Sequence, residues 1–569
     1  MHAGGVRPSF CRHAWWELSV AKYVLVPDPT LSHEYRSFPL LDFLACAPVN
    51  YVPVWLYGYL AGPTIPQDDG RAKLAPYALR KIEAPLLARY DSTEVVVAHP
   101  DYAHLLIDED TRIIGVHTMD PAGLGPVTMM FTNGRVLTSL SELIFTRFIA
   151  KLHRERMGRN RRARIIVGGA GSWELTYMPN MIKQLHIDHV VQGEIDDVAA
   201  DLLDGLSEGS LERHFMFGYQ TFDEHFHKVW FRDENGTFIT RAPFEKQFPT
   251  LGEIPLIRGA SIKGLVEVMR GCGIGCGFCE VTLRPLRYYT PDMVKREIEV
   301  NLRAGITNTW FHSDEIFAYE HGRNFEPNED ALVRLFRAIM GAGVARANPT
   351  HARISVPAAY AGLIGRLSTI LRAGPDNWIG VQVGLETGSD ELAKKHIPNK
   401  ILPLRIGSDG SWSEIVTEGL VNLNRNYWRP AFTVQIGQEA ESSEDNWDTV
   451  GLINDLSNAG LEFTLTPLLN VPLGLLKTRR EFYPVYDRLD EAQASVIYAC
   501  FRHLQRMVHR NAGSVARGSA VTRLALTQIM TRGATVVLNA LERMFRKKGF
   551  KMEKAKRYSL TDGESYFAR

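Results

Sequence analysis

Three of the six cysteines in this chain fall within eight residues, in the run Arg270-Gly271-Cys272-Gly273-Ile274-Gly275-Cys276-Gly277-Phe278-Cys279, and nothing else in the sequence restricts it as tightly. The spacing is C-x3-C-x2-C. Four glycines interleave with the thiols, so the backbone can bend sharply enough for Cys272, Cys276 and Cys279 to wrap one metal centre. Two plainer readings are three small buried side chains in a turn, or a zinc site whose fourth ligand lies elsewhere. An iron–sulfur cube of four irons held by three thiolates keeps one iron open, which separates a catalytic cluster from a saturated electron carrier. Cys11, Cys46 and Cys500 are isolated, and six cysteines in 569 residues exclude a disulfide scaffold.

Downstream of this loop, helix and strand patterns alternate. Gly264 to Gly271 reads as a strand feeding the loop. Thr290-Pro291 caps and starts a helix. Strands are expected at Thr307–His312, Ala352–Pro357, Ile379–Glu386, Ala431–Gly437 and Glu462–Leu469, with helices near 328–341, 358–373, 413–426 and 443–459. Strands joined through helices imply parallel pairing with right-handed crossovers. Counting the strand before the loop gives about six β/α units. Chemistry on such folds gathers at the carboxyl ends of strands. Three polar clusters occupy those places: His312-Ser313-Asp314-Glu315, Gly384-Leu385-Glu386-Thr387-Gly388-Ser389, and Gln435-Ile436-Gly437-Gln438.

Upstream, residues 22–207 have short continuous apolar strands at Lys22–Pro27, Glu94–Ala98, Arg112–Thr118, Arg164–Gly169 and His189–Glu194, with helical stretches such as 138–157 between them. That rhythm belongs to a doubly wound sheet covered on both faces. Its strand ends carry small and polar residues: Thr118, Asp120 and Gly125, then Gly168 and Gly169, then Gly193 and Glu194. Glycine there lets backbone approach a ligand closely, although any tight βα turn also uses it. No G-x-G-x-x-G follows the first strand, so a dinucleotide site is not supported. Residues 208–263 read as a polar, aromatic connector with a hairpin turn at Asp233–Gly236. Residues 1–21 read as an extension, and 478–569 as a helical, basic region ending in a cationic run from Arg546 to Arg557.

Lys and Arg number 65 against 64 Asp and Glu, a net charge of +1, so the whole chain carries no nucleic-acid footprint. No apolar run reaches the roughly 18 residues of a spanning helix, and the first twenty residues do not form a signal peptide, so a cytoplasmic setting is expected.

The C-x3-C-x2-C run, with aromatic Phe278 before the last cysteine, resembles the signature of radical S-adenosylmethionine (SAM) enzymes. The arrangement V-G-G … D-x-V-V-x-G-E, starting at Val167 and Asp188, resembles the cobalamin-binding domain that precedes the core in many of them. The resemblance implies an α/β chain: a Rossmann-like, doubly wound cobalamin-binding domain (22–207), a partial (β/α)6 TIM-barrel radical SAM core (264–477) and a helical C-terminal region. It implies a [4Fe-4S] cluster on Cys272, Cys276 and Cys279, with SAM chelating the open iron. Phe278, Asp314, Glu315, Glu386, Thr387 and Gln435 would line the SAM site. Thr118, Asp120, Gly125, Gly168, Gly169, Gly193 and Glu194 would cradle the corrin. The D-x-H-x-x-G motif that supplies a lower cobalt ligand is absent. The implied activity is methyl transfer from methylcobalamin to a substrate carbon after hydrogen abstraction by a 5′-deoxyadenosyl radical. Polar methyl transfer, ring closure or rearrangement, and methylthiotransfer are the other implied reaction types. The implied partners are a small-molecule or peptide substrate and a flavodoxin- or ferredoxin-like electron donor, with neither membrane nor nucleic acid. Tyr288, Tyr289, Tyr319 and His312 are candidates for acid–base work.

Overall fold

The structure is a computed structural model and describes residues 21–35, 39–208, 238–240, 248–471, 488–515 and 520–561. Its first sheet comprises β1 (Tyr23–Pro27), β2 (Val95–Val97), β3 (Ile113–His117), β4 (Arg164–Gly168), β5 (His189–Gln192) and β6 (Phe238–Thr240). All pairings are parallel, in the order β2-β1-β3-β4-β5-β6. Alternate residues of β1 enter opposite layers, as the two-residue period of a strand requires. Tyr23 and Leu25 pack with Leu79 and Leu86 of the helix Tyr77–Arg89 and with Leu202 and Leu206 of the helix Ala199–Glu208. Val24 and Val26 pack on the other side with Phe145 and Ile149 of the helix Leu140–Arg159. A strand buried on both faces must be apolar throughout, which is why these runs lack alternation. The strand order reverses between β1 and β3, so their carboxyl ends flank a switch point. There the Asp28 amide donates to the His117 carbonyl (2.8 Å) and the Thr118 hydroxyl to Asp28 Oδ2 (3.0 Å).

β6 lies within the stretch read as a connector; it pairs with β5 through Val190 and Phe238 and extends the sheet by one strand. The hairpin turn at 233–236 and nearly all of the N-terminal extension lie outside the described residues.

The second body is a wall of parallel strands. β7 (Val266–Glu267) leads into an antiparallel pair, β8 (Met269–Arg270) and β9 (Arg287–Tyr288), which brackets the cysteine loop. Then follow β10 (Asn308–His312), β11 (Arg346–Pro349), β12 (His351–Ala352), β13 (Ile379–Glu386), β14 (Trp428–Ile436) and β15 (Thr464–Leu469). β11 pairs with β10 and β12 with β13, so the stretch 346–352 changes neighbours at Thr350. The Thr350 amide still bonds Phe311 O (3.2 Å) and its carbonyl accepts from Gln382 N (2.8 Å). The wall therefore has six strand positions: β7, β10, β11–β12, β13, β14 and β15.

One strand differs from its expected place. Ala352–Pro357 was to be extended, but the strand comes earlier and Ser355–Ala359 is helical. Tertiary partners override the β-propensity of Ile354 and Val356 here. Arg353 is drawn fully inside towards Glu315, and the Ser355 hydroxyl bonds the carbonyls of Lys400 (2.8 Å) and Leu402 (2.9 Å).

The outer helices start where capping side chains satisfy their first amides. Thr290 caps Pro291–Arg303, and Ser411 with Glu414, and Ser442 with Asp445, form capping boxes. The C-terminal helices are Glu491–Val515, Ala520–Lys547 and Met552–Arg557. The first lies on Ser443–Asn458, where His503 Nδ1 meets Ser457 Oγ (2.6 Å) and its Nε2 meets Phe463 O (2.9 Å). The two α/β bodies touch through buried polar contacts: Glu297, fully enclosed, accepts from Tyr77 (2.7 Å) and Lys81 (2.6 Å). No helix of the described residues is long and apolar enough to cross a membrane.

Candidate functional site

The cysteine loop lies at the carboxyl-end mouth of the strand wall. Gly271 turns the chain into it with φ of +73°, and a Cβ there would meet Arg284 O at 2.6 Å and Pro285 O at 2.7 Å. Only glycine fits such an approach. Backbone partners hold the loop: the Gly271 amide donates to Asp314 Oδ2 (2.8 Å), Gly277 N to His396 O (3.0 Å), and Asn399 Nδ2 to Ile274 O (2.9 Å). Cys272 and Cys276 are buried and Cys279 is half-buried. Burial pushes the Cys272 thiol up to about 12 and the Cys276 thiol up to about 11, and raises Cys279 as well. Neighbouring thiols add to the rise at Cys272 and Cys276, while Asp314 and Glu386 add to it at Cys279. Buried thiols of this kind hold their protons until a metal displaces them. Among the described residues no three His, Cys, Asp or Glu side chains converge on a single-ion site. In an iron–sulfur cube each thiolate holds a different iron, so the three need not converge on one point. Cys46 and Cys500 lie elsewhere, in the first domain and in the first C-terminal helix.

After β10, Asp314 does double duty: beside the bond to Gly271, its Oδ1 lies 3.8 Å from His312 Nε2. His312 Nδ1 meets Thr350 Oγ1 (3.1 Å), so this imidazole is fixed at both ends. Glu315 turns the other way. It is 5% exposed, paired with the fully buried Arg353 (2.5 Å), and its Oε1 accepts from the Phe317 amide (3.0 Å). Glu315 therefore braces the site, while Asp314 faces the loop.

At the end of β13 the register slips by one residue between Gly384 and Glu386. Glu386 takes a φ of +65°, a strained state for a residue with a Cβ, and such strain collects at working sites. The bulge aims Glu386 at Lys400, whose Nζ lies 2.7 Å from Oε1. Gly384 makes room, since a Cβ there would stand 2.3 Å from that Nζ. Burial lowers the Lys400 ammonium's affinity for its proton, but Glu386 and the Cys276 thiol outweigh it and the net shift is upward. Glu386 Oε2 is buried without a partner, as are Gln435 Oε1, Gln438 Oε1 and Ser313 Oγ. All four sit on the carboxyl ends of wall strands. Buried polar atoms are rarely left unpaired, so this set fits a polar ligand beside the thiols. Thr387 faces the outer helices instead, 3.3 Å from Thr449 Oγ1, and its carbonyl accepts from Trp412 Nε1 (2.8 Å). Phe278 packs partly buried against the core.

Lys400, Arg353, Asn399 and Asn348 carried no sequence signal. Each acts on a partner brought near only by the fold: Lys400 is 14 residues from Glu386, and Arg353 is 38 from Glu315. The tyrosines keep their protons. Burial raises Tyr288, Tyr289 and Tyr319, and Tyr289 and Tyr319 donate to Glu267 Oε2 (2.6 Å) and Tyr289 O (2.7 Å).

In the first domain the polar residues picked from the sequence are satisfied by the protein. Thr118 bonds Asp28, and Asp120 accepts from Gly125 N (2.9 Å), Thr128 Oγ1 (2.5 Å) and Ser141 Oγ (2.8 Å). Glu194 is paired with Arg270 (2.9 Å) and Arg287 (2.7 Å). The glycines serve the contact between two loops: a Cβ on Gly169 would stand 2.4 Å from Thr118 O, and one on Gly171 2.1 Å from Met119 O. Gly168 and Gly193 close the strand ends of β4 and β5. Gly193 takes a φ of +95°, which favours glycine, whereas a Cβ on Gly168 would meet nothing nearer than 3.5 Å; Thr118, Asp120 and Glu194 offer a corrin no unpaired polar atom. Glu174 Oε1, buried nearby, is the unpaired atom closest in sequence to these loops.

No protein-family model and no curated protein matches the chain. Among solved structures its neighbours include two of the radical S-adenosylmethionine methyltransferase TsrM from Kitasatospora setae. One has cobalamin and a [4Fe-4S] cluster bound; it is 14% identical, covers 79% of this chain and 75% of that chain, and gives a TM-score of 0.47. The other has tryptophan substrate and the SAM analogue aza-SAM bound; it is 14% identical, covers 78% of this chain and 73% of that chain, and also gives a TM-score of 0.47.

Proposed function

We propose that the chain is a cobalamin-dependent radical SAM enzyme and that its reaction is methyl transfer to a carbon of a small-molecule or peptide substrate. One observation carries the reading: three thiols, two buried and one half-buried, lie on one tight loop near Glu386, and Glu386, Gln435, Gln438 and Ser313 each hold an unpaired buried polar atom at the carboxyl end of a wall strand. Cys272, Cys276 and Cys279 would hold a cluster able to reduce SAM, and a bound corrin would supply a methyl carrier.

The chain's own residues do the placing. Lys400 balances the negative charge that three thiolates bring into a dry site. Glu386 Oε2 is an acceptor for an ammonium or a hydroxyl, and Gln435 and Gln438 offer amide groups to a polar ring. Asp314 keeps the loop in register through Gly271 N and leaves His312 beside the mouth as a half-exposed group for proton transfer. Tyr288 keeps its proton and would act as a donor and not as a base, whereas the Tyr319 hydroxyl is committed to Tyr289 O. An external donor of the flavodoxin or ferredoxin kind would supply the electrons. Since the first-domain residues named from the sequence are internally paired, no step is assigned to them.

The test is anaerobic reconstitution with iron, sulfide and hydroxocobalamin, followed by desalting and quantitation. About four irons and one corrin per chain support the proposal. Four irons without corrin keep the radical SAM part and remove methylcobalamin chemistry. Absence of iron removes both.

A further inference from the structure

The loop after β5 reaches the cysteine loop through a buried ion-pair network. Arg270, two residues before Cys272, uses all three guanidinium nitrogens. Its Nε donates to both oxygens of Glu267 (2.9 and 2.9 Å), Nη1 to Glu194 Oε2 (2.9 Å) and Asp196 Oδ2 (2.8 Å), and Nη2 to Asp196 Oδ1 (2.9 Å). Arg287 stands opposite Arg270 in the β8–β9 pair and holds Glu194 with both Nη atoms (2.7 and 2.9 Å). These five side chains are 6–11% exposed. Burial alone would raise the Glu267 carboxyl, but Arg270 and Lys81 outweigh it and bring it down to about 2.

The donors sit on the frame of the cysteine loop, whereas two of the acceptors, Glu194 and Asp196, belong to the strand-end loop of the first sheet. A buried network of this kind is weak evidence of added stability, and its best use is to fix register. The planar fork of arginine sets angle as well as distance. Each guanidinium commits all three nitrogens and four of its five N–H donors to protein acceptors, Arg287 also reaching Pro285 O and Pro249 O, so protein contacts account for both arginines without a ligand in the mouth. We infer that Arg270 is a positioning residue: it locks the 193–196 loop of the first sheet onto the cysteine loop, so that the two move as one body. This extends the proposed function by fixing how the first domain addresses the thiols.

The primary experiment needs no cofactor. Amide hydrogen exchange is measured on the full-length, metal-free chain for the wild type, R270M, R270K and D196N. Exchange at 189–196 and 271–279 is expected to quicken at least tenfold in every variant, with β13 to β15 unchanged. R270K is expected to follow R270M, because lysine keeps the charge and loses the fork. Wild-type exchange at 271–279 overturns the inference, as does a uniform rise that includes β13 to β15. If R270M does not fold, D196N, which keeps the Arg270–Glu267 pair, decides. As a second readout, reconstituted and reduced D196N is expected to give an electron paramagnetic resonance signal shifted from wild type. A wild type that takes up no iron removes the proposed function and leaves the exchange result standing.

Discussion

Lys400 Nζ and Glu386 Oε1 form a 2.7 Å ion pair in which the lysine side chain is 14% and the glutamate 6% exposed. The pair is made by a bulge on β13 and a short helix, Pro398–Ile401, with the cysteine loop as its third neighbour. Its ammonium faces both a carboxylate and the thiols.

Removing one member of this pair leaves a buried charge uncompensated. K400M is expected to lower the stability of the metal-free chain by about 3–5 kcal/mol, while the K400M/E386Q double variant recovers much of that loss. Urea unfolding of the single and double variants gives the coupling. A double variant as unstable as K400M would show that the lysine acts through packing alone.

C272A, C276A and C279A are each expected to hold clearly fewer than the roughly four irons of a reconstituted cluster. C46A and C500A are expected to hold as many as the wild type. Iron quantitation after desalting separates the two groups, and equal iron in all five would exclude the loop as the metal centre.

His503 gives the chain an acid-sensitive contact. Its Nε2 donates to Phe463 O, so Nδ1 is free to accept from the Ser457 hydroxyl, which requires the neutral ring. Burial pushes its pKa down to about 4. The unfolded chain, near 6.5, then binds more protons between pH 4 and 6.5. The histidine's contribution is fully present above 6.5 and is lost as pH falls towards 4, at up to about 1.4 kcal/mol per pH unit. Asp28, which burial raises to about 6, works in the opposite direction from pH 4 to 6. The melting temperature of H503N should depend on pH in this window less than that of the wild type. Identical slopes would remove His503 as the source.

Gly171 tests whether the glycines of the first domain serve the protein or a ligand. A Cβ 2.1 Å from Met119 O must displace backbone, so G171A is expected to cost the ligand-free chain about 1–3 kcal/mol. A Cβ on Gly168 meets nothing nearer than 3.5 Å, and G168A should melt close to the wild type. A G171A chain of normal stability that fails to bind cobalamin would reverse the assignment.

The sequence made legible those features that depend on local pattern. β1, β3 and β13 were readable because a strand buried on both faces must be apolar, β10 and β15, which bury alternate residues, because their β-branched, aromatic and apolar residues mark a strand, and Thr290 because a cap must precede a helix. The three cysteines were readable because their spacing is itself the chemistry. The partners of the carboxylates were not readable. Asp314, Glu315, Glu386 and Glu194 look alike as strand-end acids, yet one faces the loop and the other three are held by Arg353, Lys400, Arg270 and Arg287. Each cation arrives from a distant segment, and no periodicity records that. The Ala352–Pro357 stretch failed for the same reason, since Arg353 and Ser355 are placed by tertiary contacts.

The change of neighbours at Thr350 makes the wall a joint between two half-shells. β7, β10 and β11 form one, and β12, β13, β14 and β15 the other. Thr350, the Asn348 side chain, which accepts from Gly380 N at 2.9 Å, His351 Nδ1, which meets Ser313 O at 3.0 Å, and the Arg353–Glu315 pair stitch the edges together. Asp314 and Ser313 stand on the first half, and Glu386, Gln435 and Gln438 on the second. A ligand that touches both sets spans the seam. Occupancy of the mouth is then also a clasp, and the melting temperature of the chain should climb with the logarithm of ligand concentration.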